Sequence, residues 1–228
     1  MMISRLDLAV FLPLFCSAAL FAGQESRVAQ PRPVGAKTAE ARQVPPKAAS
    51  EFRKSQEAFN DGKIDKAVQY LRNGIALDPG NTDAYNDLGV IYFNINQPEK
   101  AIEAFSTMIE IDPDCFRAHV NLAYTLNALQ RYKEAERIAR RGVELKKMDL
   151  KIRYMLGMSL SSQRKNLDEA ADNLSMAAEQ FPEARLELSR MLVEKGDFDR
   201  AMQELQRFTQ ERKLGEKAGV SAVQLFAK

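Results

Sequence analysis

The sequence predicts an all-α fold in which about five helix-turn-helix units stack into a solenoid. Landmarks recur at one interval: Ala67, Ala101 and Ala135 are spaced by 34 residues, as are Leu88, Leu122 and Leu156, and Gly89, Ala123 and Gly157. A fixed period of a few tens of residues is the mark of stacked supersecondary units. The breakers keep step, with Pro79 and Pro113 again 34 residues apart, and proline cannot continue a helix. Small residues also face small residues. Ser55, Gly89, Ala123, Gly157 and Ser189 on the first helix of each unit oppose Ala67, Ala101, Ala135, Ala170 and Ala201 on the second, as two closely crossing helices require.

The stretch TDAYNDLGVIYFNINQPEKAIEAFSTMIEIDPD, from Thr82 to Asp114, shows the unit most completely. Its Tyr85, Leu88-Gly89, Tyr92, Ala101, Phe105 and Pro113 resemble the tetratricopeptide repeat family, with only the usual first Trp changed, to Tyr. The resemblance covers about residues 48–213. It implies a right-handed superhelical solenoid whose first helices line a concave face, and a role as a protein-interaction scaffold without catalysis.

Taken in order, MMISRLDLAVFLPLFCSAALFAG has a basic start at Arg5, an apolar run and small residues near Ala19 and Ala22. That layout reads as a signal peptide over residues 1–22, which implies export: to the periplasm in a Gram-negative bacterium, otherwise by secretion. An uncleaved anchor is the competing reading, but Asp7 and Pro13 interrupt a run at the short limit for spanning a bilayer. Residues 23–47 are rich in Pro, Ala and single charges, too poor in apolar surface to offset ordering entropy, and read as a disordered linker. The units follow at about 48–81, 82–115, 116–149, 150–182 and 183–213. In the first, Gly62 permits the turn between helices and Asp78-Pro79 stops the second helix; in the second, Pro98 opens the second helix. The third has Lys147 where Pro is expected, so its handover is less sharply specified. The fourth needs one inserted residue in the turn SSQRKN. Residues 214–228 read as a cap or tail.

Large residues fill the layers between units. Leu71, Phe105, Leu174 and Leu205 are expected to pack on the next unit at one position, and Ile75, Ile109 and Val143 at another. No unit can bury this stripe alone, so the stack exists only as a whole.

Composition narrows function. Of 228 residues, 45% are hydrophobic and 28% charged, as in a soluble globular protein. Residues 1–47 carry six Lys/Arg against three Asp/Glu, leaving 27 against 28 for the rest. A near-neutral repeat region has no extended field for phosphates, which argues against nucleic acid. Membrane contact is open only to the N-terminal segment. Two cysteines, Cys16 and Cys115, exclude a disulfide framework. The one histidine, His119, takes the inward aromatic position that Tyr85 fills one unit earlier. No nucleophile-base motif, CxxC, HExxH or phosphate-cradling loop is present, so the sequence predicts no catalytic residue, no metal and no cofactor.

What remains is the concave surface that the family resemblance assigns to the first helix of each unit. Carried over position by position, it gives a candidate peptide-binding groove of Asn86, Phe93, Asn94, Arg117, Asn121, Tyr124, Asn127, Tyr154 and Met158. The asparagines can donate and accept toward a bound backbone; aromatic rings and Met can hold apolar side chains. The family's clamp for a carboxylate tail would use Phe52, Gln56, Asp87, Arg117 and Asn121, of which only Arg117 carries the needed charge. Two functions follow: an exported scaffold that binds a protein or peptide segment, in cell-envelope assembly or complex formation, or a self-assembly element that associates end to end or through its tail.

Overall fold

The computed structural model describes residues 43–210. The leader, all but the end of the linker, the last residues of the fifth unit and the tail lie outside the described residues. Within them the regular elements are helices: α1 (Pro46–Asn60), α2 (Ile64–Leu77), α3 (Thr82–Asn94), α4 (Pro98–Ile111), α5 (Phe116–Ala128), α6 (Tyr132–Leu145), α7 (Leu150–Ser162), α8 (Leu167–Ala177) and α9 (Pro182–Glu194). A tenth, α10, occupies 198–210. Odd-numbered helices open each hairpin and even-numbered ones close it. Helix α1 starts at Pro46, inside the stretch expected to be linker, because proline at a first-turn position loses no hydrogen bond and has its φ already set for helix.

The turn within each hairpin has one geometry. The backbone takes a left-handed residue at Gly62 (φ 73°), Asn96 (59°), Gln130 (59°), Arg164 (53°) and Gly196 (79°). The next N–H then closes on the carbonyl five residues back: Lys63 on Ala58 (2.8 Å), Gln97 on Tyr92 (2.8 Å), Arg131 on Leu126 (2.9 Å), Lys165 on Leu160 (3.1 Å) and Asp197 on Leu192 (2.8 Å). This is the Schellman closure, which satisfies carbonyls a helix end would otherwise leave bare. The residue inserted in the fourth unit is absorbed at this turn, where Asn166 adds a second left-handed residue (φ 47°).

Handovers between units are set by caps. Asn81 Oδ1 accepts from the Ala84 N–H at 3.1 Å at the start of α3. At the third handover, where Lys147 replaces Pro, Asp149 Oδ1 accepts from the N–H groups of Lys151 (2.9 Å) and Ile152 (3.3 Å) and fixes the start of α7 instead.

The hairpins close where small residues meet. Ala67, Ala101, Ala123, Ala135 and Ala170 have no exposed surface, and Ser55 Oγ donates to the Ala67 carbonyl at 2.9 Å. Of the layer-filling residues, Leu71, Phe105 and Leu174 are buried, whereas Leu205, Ile75, Ile109 and Val143 are half-buried. Full burial, worth roughly 1.5–3 kcal/mol per side chain, therefore applies to the first three.

Stacking bends the row of hairpins. α5 packs directly on α7 and α7 on α9, while in the closely packed pairs an even-numbered helix meets only its odd-numbered neighbours. α5, α7 and α9 are thus drawn together on the inside of the curve.

Candidate functional site

The inner face is best defined across α3 and α5. Arg117, at the start of α5, forms an ion pair with Asp83 one unit earlier. One turn further on, Asn121 Nδ2 donates to Asn86 Oδ1 at 2.8 Å, and Asn86 Nδ2 donates to Asp87 Oδ1 at 3.3 Å. At the far end, Phe93 meets Tyr124 edge to face, with ring centroids 5.4 Å apart. Arg117 and Asp83 are equivalent positions 34 residues apart, and the Asn121–Asn86 and Phe93–Tyr124 contacts join nearby positions of the same two helices.

Asp87 reports on the shape of this face. Its side chain is exposed, yet desolvation by the surrounding protein is the largest influence on its carboxyl and raises its pKa, against the Asn86 hydrogen bond and the Arg117 charge, which lower it. A side chain that is both wet and crowded by protein lies on the floor of a concavity. Arg117 is neutralised by Asp83, so no free charge is held ready for a ligand carboxylate at this point.

The remaining candidates divide. Asn94 is exposed at the C-terminal end of α3 and Met158 is half-buried on α7. Asn127 Nδ2 donates to the Met155 carbonyl at 3.0 Å, while its Oδ1 is buried with no hydrogen-bond partner. Tyr124 is 8% exposed, and burial pushes its phenol up to about 12. Tyr154 is 2% exposed and stacks on Phe181 at 5.5 Å with an interplanar angle of 14°. Burial first, then the charges of Glu183 and Glu187, raises its pKa. These two tyrosines therefore form the floor of the face rather than its walls. Phe52 is half-buried and lies against Gly74 of α2.

Ser161 Oγ donates to Glu187, so α9 contributes to the same face. Sequence reasoning stopped short of Glu183 and Glu187 because the loop before α9 is shortened and the carry-over ended at the fourth unit. Pro182, matched to the start of a first helix, is the signal that would have placed them.

His119 is 2% exposed, with Nδ1 hydrogen-bonded to the Cys115 carbonyl at 3.0 Å, and is a packed residue as expected. Among the described residues, no three His, Cys, Asp or Glu side chains converge to hold a metal, and no helix is long and apolar enough to cross a membrane.

Comparison with known proteins points the same way as the geometry. A family model described as tetratricopeptide repeat matches residues 58–118 and 96–156, and a second with that description matches 154–213. A "TPR repeat-containing thioredoxin TDX" of Arabidopsis thaliana is 26% identical over 106 residues, which are 46% of this chain and 28% of that protein. A "Peroxisomal targeting signal receptor" of Eremothecium gossypii is 34% identical over 72 residues, 32% of this chain and 13% of the receptor. The chain thus spans less than a third of the length of these curated relatives. Among solved structures, MamA of Desulfovibrio magneticus RS-1 superposes with a TM-score of 0.68 at 19% identity, covering 75% of this chain and 98% of that one. YrrB, described as "a TPR protein with an unusual peptide-binding site", superposes with a TM-score of 0.62 at 20% identity, covering 72% and 85%. At these identities the likeness is one of fold.

Proposed function

Because the chain belongs to the tetratricopeptide repeat family, we propose that it is an exported scaffold that holds an extended segment of a protein partner along its inner face. The repeat fold is generally a non-catalytic interaction scaffold, and the mechanism here is burial and amide pairing without covalent chemistry. The carrying observation is the ladder from Asn121 through Asn86 to Asp87 on the floor of the concavity. It sets two side-chain amides next to each other across two units, with the Phe93–Tyr124 pair further along the same two helices for an apolar side chain. YrrB, described by its peptide-binding site, and the peroxisomal targeting signal receptor support a polypeptide as the ligand.

Export rests on the leader pattern of residues 1–22, and places the scaffold in the periplasm or outside the cell, in envelope assembly or complex formation. Nucleic acid is not the partner, and membrane contact is confined to the N-terminal segment. The test has two parts. N-terminal sequencing of the mature protein should begin after Ala19 or Ala22; an intact Met1 would refute export by cleavage. Replacing both Asn86 and Asn121 by Ala should reduce partner recovery in pull-downs at unchanged helical content, and undiminished recovery would refute the groove.

A further inference from the structure

The two ends of the solenoid are built differently. In units two to five one first-helix position is filled by Leu88, Leu122, Leu156 and Leu188, and another by Ile91, Thr125, Ser159 and Met191, all buried. At the same positions α1 carries Lys54 and Glu57, both exposed, and Lys54 pairs with Glu51 at 2.6 Å. The beginning of the stack is closed by charge.

The other end is not. Leu186 (48% exposed), Val193 (48%), Phe198 (65%) and Met202 (57%) are uncovered on α9 and α10. Each stands where earlier units touch the unit that follows. Val193 corresponds to Phe93, which meets Tyr124. Met202 corresponds to Glu136, which accepts from Gln163 and Lys165. Phe198 corresponds to Tyr132, whose carbonyl accepts from Gln163, and Leu186 to Asn86, bonded to Asn121. The end of α9 and α10 thus places four apolar side chains at positions that earlier units use to contact their neighbours, there chiefly through polar groups.

We infer that this face is the contact between two copies of the chain, joined about a two-fold axis with α10 against α10. Going beyond the groove, this reading narrows end-to-end association to one geometry. Head-to-tail growth would set the apolar face against the Lys54–Glu51 and Arg53–Glu57 ion pairs, taking four charges out of water against a surface that offers them no polar group, which is costly. A patch that mates with itself closes at two copies and cannot grow. The four side chains expose apolar surface on the order of 400 Å² per copy, about half of the roughly 800 Å² per partner that a standard interface buries, with the rim supplying the rest.

Light scattering of the full-length chain tests this. The wild type should show twice the monomer mass, and Phe198→Glu with Met202→Glu should halve it at unchanged helical circular dichroism, since both side chains are exposed. Glu57→Lys in α1 should leave the mass unaltered. A wild type that stays monomeric up to about a millimolar, a mass that climbs with concentration past two copies, or loss of association in Glu57→Lys would overturn the inference. So would dimers that form only after residues 211–228 are removed, which would assign the covering role to the chain's own segment.

Discussion

Gly89→Ala sets two known effects against each other at one atom. In a helix interior the change ordinarily stabilises by about 1 kcal/mol, because glycine has more backbone freedom to lose. Here a Cβ at residue 89 would stand 2.5 Å from Phe105 Cε1, 2.8 Å from Cζ and 2.9 Å from Cδ1. Phe105 is 1% exposed and cannot swing away. Overpacking of this kind costs about 1–3 kcal/mol, so the net result is a loss of up to about 2 kcal/mol. Phe105→Leu removes Cε1 and Cζ, the two carbons nearest the clash, and in that background Gly89→Ala should regain its helical advantage. Urea denaturation of the four proteins, followed by circular dichroism, closes the cycle with a coupling of about 1–3 kcal/mol. Stabilisation by Gly89→Ala in both backgrounds, with no coupling, would refute the close crossing of α3 and α4.

Three further outcomes follow from the same coordinates. Gln130→Gly relieves a left-handed residue (φ 59°) and, since strain of about 1–2 kcal/mol outweighs glycine's entropy, should raise the thermal midpoint; a lower midpoint would contradict the turn geometry. Folded Asp87 keeps its proton to higher pH than an unfolded Asp, so its contribution to stability falls as pH rises through the window between the ordinary and the raised value. Asp87→Asn should therefore melt above the wild type on the alkaline side of that window and converge with it on the acid side; parallel melting curves across the pH range would count against this. Arg185 pairs with Glu204 at 2.8 Å between α9 and α10, with side chains only 14% and 16% exposed. Arg185→Met should cost toward the low end of about 3–5 kcal/mol and speed hydrogen exchange in α10, and unchanged exchange there would argue against the pair.

The fold was legible because repetition multiplies a weak signal. Ala67, Ala101 and Ala135 each say little, yet their common spacing fixes the hairpin crossing, and all three are fully buried. The left-handed turn residue was readable at Gly62, where glycine announces it. At Gln130 and Arg164 the closing hydrogen bond imposes the same conformation on side chains that give no hint of it. The third handover reads as less sharply specified because no proline marks it, and the Asp149 cap that starts α7 lies four residues past the last residue of α6. On the inner face, the family resemblance assigned positions to the groove but not how deep each lies. Tyr124 and Tyr154 have the same chemistry as an exposed ring and differ only in the ring that packs against them: Phe93 of the preceding unit in one case, Phe181 at the end of the same unit in the other.

The central claim is that the working surface is the inner curve formed by the odd-numbered helices. Site-specific photo-crosslinking in cells tests it most directly, with the reactive group placed at Asn94 or Met158 on that curve and, in parallel, at Arg137 on the outward side of α6. The account predicts partner adducts from Asn94 and Met158 and none from Arg137. Adducts from Arg137 alone, or equally from all three positions, would contradict it.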